Sequence, residues 1–98
     1  MAFAPDSVLL VVSGELDLAT VAVLDESLRR AESARRPVVL LDLGGVTFLD
    51  CTGLTALLAA ARRVAEAGGE ISVMRASAPI CRLLRLTAVD QSLTVIPA

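Results

Sequence analysis

The 98-residue chain reads as a single α/β domain spanning residues 1–98. It is expected to hold a mixed, mostly parallel sheet of four or five strands with three or four helices packed on it. Three observations predict this. Short β-branched runs alternate with longer stretches of helical periodicity, the signature of successive β-α-β units. The run Val38-Val39-Leu40-Leu41-Asp42-Leu43 is apolar almost throughout, as in a strand covered on both faces. The composition is 55% hydrophobic and 20% charged, enough apolar surface for one modest core and too much for disorder.

The elements follow in order. Val8-Leu9-Leu10-Val11-Val12 is too short for a helix and predicts a strand, closed by Ser13-Gly14. Over residues 18–34, Val21, Leu24, Leu28 and Ala31 recur at helical spacing. Asp17 stands just before that run, where a carboxylate can cap open amides and meet the positive end of the helix dipole. Pro37 ends the segment. A second strand covers Val38–Leu43, and Gly44-Gly45 is expected to turn the chain. Leu54, Leu57, Leu58, Ala61, Val64 and Ala65 form a second helical stripe, stopped by Gly68-Gly69. Glu70–Arg75 predicts a third strand. Ser77 and Pro79 open a third helix with Ile80, Leu83 and Leu84 inward. Leu93–Ile96 is a last strand, and a further one is expected around Phe3. The strand-to-helix loops of parallel strands emerge at one edge of the sheet, where α/β folds usually bind. The loops 14–18 and 48–54 should therefore be neighbours.

Composition excludes several classes. The net charge is −2, and the nine basic residues, all Arg, are interspersed with acids. Asp25–Arg29 and Glu26–Arg30 have i,i+4 spacing with the acid first, which predicts ion pairs on a helix face and not a phosphate-tracking stripe. Nucleic-acid binding is not expected. There is no His and no CxxC, so neither a metal site nor a cofactor is implied by Cys51 and Cys81. No apolar run approaches ~18 residues and the N-terminus lacks a positively charged leader, which predicts a cytoplasmic protein without membrane insertion.

The informative segments are Ser13-Gly14-Glu15-Leu16-Asp17 and Leu43-Gly44-Gly45-Val46-Thr47-Phe48-Leu49-Asp50-Cys51-Thr52-Gly53-Leu54. In order and spacing they resemble the STAS domain family of anti-sigma factor antagonists, and the flanking elements extend the resemblance over nearly the whole chain. The resemblance implies a non-enzymatic protein-binding module. Its unphosphorylated form would sequester an anti-sigma factor, a serine kinase of the GHKL type, and so free a sigma factor in partner switching. It assigns the partner-binding face to Glu15, Asp17, Asp50, Cys51, Thr52 and Gly53. To these the outer side of the second helix adds Thr55, Ala59 and Arg62, whose small neighbours allow close approach.

In such a switch the kinase modifies the first hydroxyl residue after the loop Asp. A phosphate there would lie among unpaired amides of a helix N-terminus and put about −1.5 to −2 charge into the contact surface. Here that position is Cys51. Three readings stay open: Thr52 takes the phosphate, the domain is held in its binding form, or Cys51 senses redox state through a thiol at a helix start. A plain small-residue role for Cys51 is a fourth. Asp17, Asp50 and Thr52 can also be helix caps, Gly53 can serve close backbone approach, and Cys81 can be an inert core thiol.

Two rival functions follow from the same residues. An adaptor subunit of an ABC-type lipid transport complex needs no phosphorylated serine. Mg²⁺ chemistry at Asp17 and Asp50 would need a Lys to meet phosphoryl oxygens, and the chain has none. The family often adds a helix after the last strand, whereas this sequence ends at Ala98. An exposed apolar patch and a homodimer are expected on that ground.

Overall fold

A computed structural model describes residues 7–87 and 93–96 of the chain. These form four strands and three helices: β1 Ser7–Leu16, α1 Val21–Ser33, β2 Val38–Leu49, α2 Cys51–Glu66, β3 Glu70–Met74, α3 Ala78–Thr87 and β4 Leu93–Val95. The strands lie in the order β1-β2-β3-β4, and every pairing among them is parallel. The four described strands thus form one parallel sheet. The strand expected around Phe3 lies outside them.

Because each crossover steps to the next strand in the same direction, right-handed connections bring successive helices onto one face. There α1 and α2 meet each other. Leu24, Leu28 and Ala31 of α1 are buried together with Ala56, Leu57, Ala60, Ala61 and Val64 of α2. They close on Val39, Leu41 and Leu43 of β2 and on Ile71 and Val73 of β3, all essentially buried. Burying a single such aliphatic side chain contributes about 1.5–3 kcal/mol, and with few aromatics these residues make up the core. Leu54, Leu58 and Val21 are half-buried against it, while Ala65 faces solvent. In α3, Ile80, Cys81 and Leu84 are buried and Leu83 packs at the margin.

Two strands run further than the local sequence indicates. β2 continues straight through Gly44-Gly45 to Leu49, and β1 continues through Ser13-Gly14 to Leu16. The expected turn at Gly44-Gly45 is therefore a strand segment. Gly45 stands opposite Ser13, and a Cβ there would come within 2.9 Å of the Ser13 Cβ. The glycine serves close approach of two strands whose register shifts on either side of it. The extension matters because it carries both strand ends to the same rim.

Smaller boundary differences have local causes. α1 begins at Val21 and not near residue 18, because Asp17–Thr20 form a closed turn of their own. β3 ends at Met74, and Arg75 turns away with a φ of 63°. Gly68, with a φ of 87°, supplies the left-handed residue that ends α2. The pairs Asp25–Arg29 (2.9 Å) and Glu26–Arg30 (2.7 Å) form on α1 as their spacing predicts.

Arg63 links the two helices through a close ion pair to Glu32 and a looser one to Asp25 at 3.8 Å. Arg63 of α2 donates from Nε and from an Nη to the two carboxylate oxygens of Glu32 on α1, each at 2.8 Å. Donating these hydrogen bonds to the Glu32 carboxylate holds the Arg63 guanidinium more firmly protonated than usual, against the opposing effect of its partial burial. Among the described residues, no helix is long and apolar enough to cross a membrane.

Candidate functional site

The carboxyl ends of β1 and β2 meet at one rim. Leu16 pairs with Leu49 in the ladder, and the next amide along, that of Asp50, donates to the Leu16 carbonyl at 3.1 Å. The two loops that leave these strands are therefore tied together at their roots.

The first loop is locked by its own side chains. The Thr20 hydroxyl donates to the Glu15 carbonyl at 2.7 Å and accepts from the Asp17 amide at 3.0 Å. Asp17 Oδ1 accepts from the amides of Ala19 (3.0 Å) and Thr20 (3.2 Å). Asp17 thus closes the turn before α1 and does not cap the helix. Thr20 is the N-cap residue, and its side chain makes no bond to the first helical amides because it reaches back to the loop.

The second loop is capped in the standard way. Asp50 Oδ1 accepts from the amides of Thr52 (2.9 Å) and Gly53 (3.1 Å). Asp50, and not Thr52, is the cap. This changes the expected setting of a phosphate, since two of the amides it would use already hold a carboxylate.

Gly53 is buried, so it is not part of an accessible face. A Cβ there would lie 2.6 Å from the Leu16 carbonyl oxygen and 2.9 Å from Leu49 Cδ1. Its place on the partner-binding face is corrected on that ground: it is the contact that lets α2 start directly against the end of β1.

The other sequence-predicted residues come together. Glu15, Asp17, Asp50, Cys51 and Thr52 lie on the rim, with Glu15 and Cys51 exposed and Asp17, Asp50 and Thr52 half-buried. Cys51, Thr55, Ala59 and Arg62 follow one another at helical spacing along the outer side of α2. The Thr55 hydroxyl donates to the Cys51 carbonyl at 2.7 Å, which leaves its methyl group as the outward feature. Cys51 carries a free, exposed thiol, whereas the Cys81 thiol is buried. Among the described residues, no group of three or more metal-ligating side chains converges.

The site holds apolar residues that local sequence reading misses. Leu18, in the first loop, is 76% exposed, and Phe48, near the end of β2, is 49% exposed. Leu18 falls in the 18–34 stretch that reads as helical. Phe48 pairs with Glu15 after a register shift that breaks the alternation of β2. An irregular ladder is not visible in one strand's sequence.

A match to the family described as "Mlab, STAS domain" spans residues 1–97. The chain belongs to the STAS domain family. No curated protein sequence matches it. Solved STAS-type structures do. An anti-sigma factor antagonist from Mycobacterium paratuberculosis superposes with a TM-score of 0.78 at 23% identity, over 99% of this chain and 82% of that one. The anti-sigma factor antagonist SpoIIAA of Bacillus, in its unphosphorylated form, gives a TM-score of 0.73 at 15% identity, over 100% and 86% of the two chains. The STAS domain of a SulP transporter from Vibrio cholerae gives 0.68 at 14% identity, over 95% and 76%. At these identities the likeness is one of fold. This STAS domain shares its architecture with antagonists and with a transporter domain alike.

Proposed function

We propose that this STAS domain is an anti-sigma factor antagonist, which binds an anti-sigma factor kinase through the rim and the outer side of α2. The observation that carries the reading is the junction of Leu16 with Asp50. The Asp50 amide on the Leu16 carbonyl keeps the Glu15–Asp17 loop close to the start of α2, which supports reading the acids, small residues and exposed apolar side chains there as one binding surface. Such a mixture, with apolar anchors inside a polar surround, suits a protein partner.

In this reading the unmodified domain is the binding form. Cys51 stands where the family's switch has its hydroxyl, and a thiol is no substrate for a serine kinase. Thr52 is then the hydroxyl within the kinase's reach. A phosphate on it would meet the Asp50 carboxylate on the same two amides, and the added charge would drive the partner off.

The adaptor role in an ABC-type lipid transport complex remains the second reading, favoured by the same Cys51. It uses the same surface and differs in the partner. The test is a pull-down with the whole domain as bait in its native host, followed by ATP treatment of the recovered complex. Recovery of an anti-sigma kinase, with a mass shift on Thr52 after ATP, supports the first reading. Recovery of a transporter ATPase and no kinase supports the second and overturns the first.

A further inference from the structure

A groove of about 400 Å³ runs between β1 and α1, beside the rim. Val11, Val12 and Leu16 line it from the strand, and Val23 and Leu24 from the helix. Among the described residues, its single charged lining residue is Glu15. The walls carry apolar side chains that are unusually wet: Val11 is 64% exposed and Val23 is 67% exposed. Leu18, in the loop that joins the two walls, is also exposed. One exposed aliphatic residue is ordinary, but Val11 and Val23, one on each wall of a single concavity, mark a contact surface. The Glu15 carboxylate makes no ion pair among the described residues.

We propose that this groove seats an aliphatic side chain flanked by a lysine or arginine, carried on a segment of the same protein that grips the rim. The proposal rests on the partner-binding reading above and extends its footprint from α2 to the β1–α1 side. Two observations choose the occupant. A groove with a buried floor of Val12, Leu16 and Leu24 and edges at Val11 and Val23 that are about two-thirds exposed does not enclose a ligand as small-molecule pockets do, but it accepts a side chain delivered by a chain segment. An unmatched carboxylate at the mouth of an apolar groove selects a cation next to that side chain and repels an acidic one.

Photocrosslinking in the native host tests this. Benzoylphenylalanine replaces Val23 in one variant of the full chain and Thr55 on α2 in another. The expected result is that both positions attach to the same protein. The peptide held at position 23 should contain an aliphatic residue within about three positions of a Lys or Arg. Glu15→Arg should lower that adduct about tenfold, and the adduct at position 55, which reads the shared rim, by clearly less. Glu15→Gln gives the smaller change in the same direction and serves if the reversal disturbs folding. Attachment from position 55 alone overturns this inference and leaves the partner-binding reading standing. Attachment from neither position overturns both. An adduct at position 23 that is indifferent to Glu15, or a captured peptide without a basic residue, overturns the proposed chemistry of the occupant.

Discussion

The Asp50 amide donates to the Leu16 carbonyl at 3.1 Å, so the chain leaving β2 is pinned to the chain leaving β1 just where each turns toward its helix. Gly53 fits against the same carbonyl from the first turn of α2. One backbone oxygen thus organises both loops of the site.

Gly53→Ala tests that packing. The new methyl group would stand 2.6 Å from the Leu16 oxygen, a backbone atom that cannot swing aside. We expect a loss of about 1–3 kcal/mol, measured as a lower urea midpoint at constant slope. An unchanged midpoint would mean that the two loops do not touch as described.

Asp50→Ala removes the acceptor for two amides and should cost about 1 kcal/mol. Asp50→Asn keeps an acceptor oxygen and should cost clearly less. In thermal melts, the alanine variant should fall about 4–8 °C below the wild type. Equal melting of the two variants would contradict the capping role.

Arg63 and Glu32 should show measurable coupling. The pair is bidentate, with side chains 30% and 19% exposed, and so is partly screened. A double-mutant cycle with Arg63→Ala and Glu32→Ala should give about 0.5–1 kcal/mol of interaction. It should shrink in 1 M salt, where the screening length is about 3 Å. The exposed pair Asp25–Arg29 should give less in the same experiment.

Cys51→Ser restores the hydroxyl at the exposed first position of α2. Stability should change by less than about 0.5 kcal/mol, as for other exposed positions. Phosphorylation by an anti-sigma kinase should appear at Ser in that variant, read as a mass shift. A kinase that binds the variant and leaves it unmodified would show that this position is not its target.

Much of this molecule is legible one segment at a time. The apolar run from Val38, the spacing of Leu24, Leu28 and Ala31, and the acid-first pairs on α1 all depend on neighbours in the chain, and all appear where their patterns place them. The features that escaped depend on residues far apart. Gly44-Gly45 has the form of a turn, and only Ser13 across the ladder explains why it is strand. Asp17 and Asp50 each precede a helix, yet Asp50 caps its helix whereas Asp17 is diverted by Thr20 into closing a loop. Gly53 stands in an exposed-looking motif and is buried by Leu16. Glu32 and Arg63 meet across two helices, beyond any local spacing rule. The rim itself was foreseeable because parallel strands deliver their loops to one edge, whereas its apolar members Leu18 and Phe48 depend on the irregular register of β1 on β2.

We expect an anti-sigma kinase to grip the outer side of α2 at the Asp17–Asp50 rim. Calorimetric titration of the native host's anti-sigma kinases into the wild-type domain and into Ala59→Arg tests it most directly, with Arg82→Glu on α3 as a remote control. We expect one kinase to bind the wild type and the control alike, and Ala59→Arg to weaken it about 100-fold at unchanged thermal stability. Absence of binding by any such kinase, or equal affinity for the Ala59→Arg variant, would contradict the account.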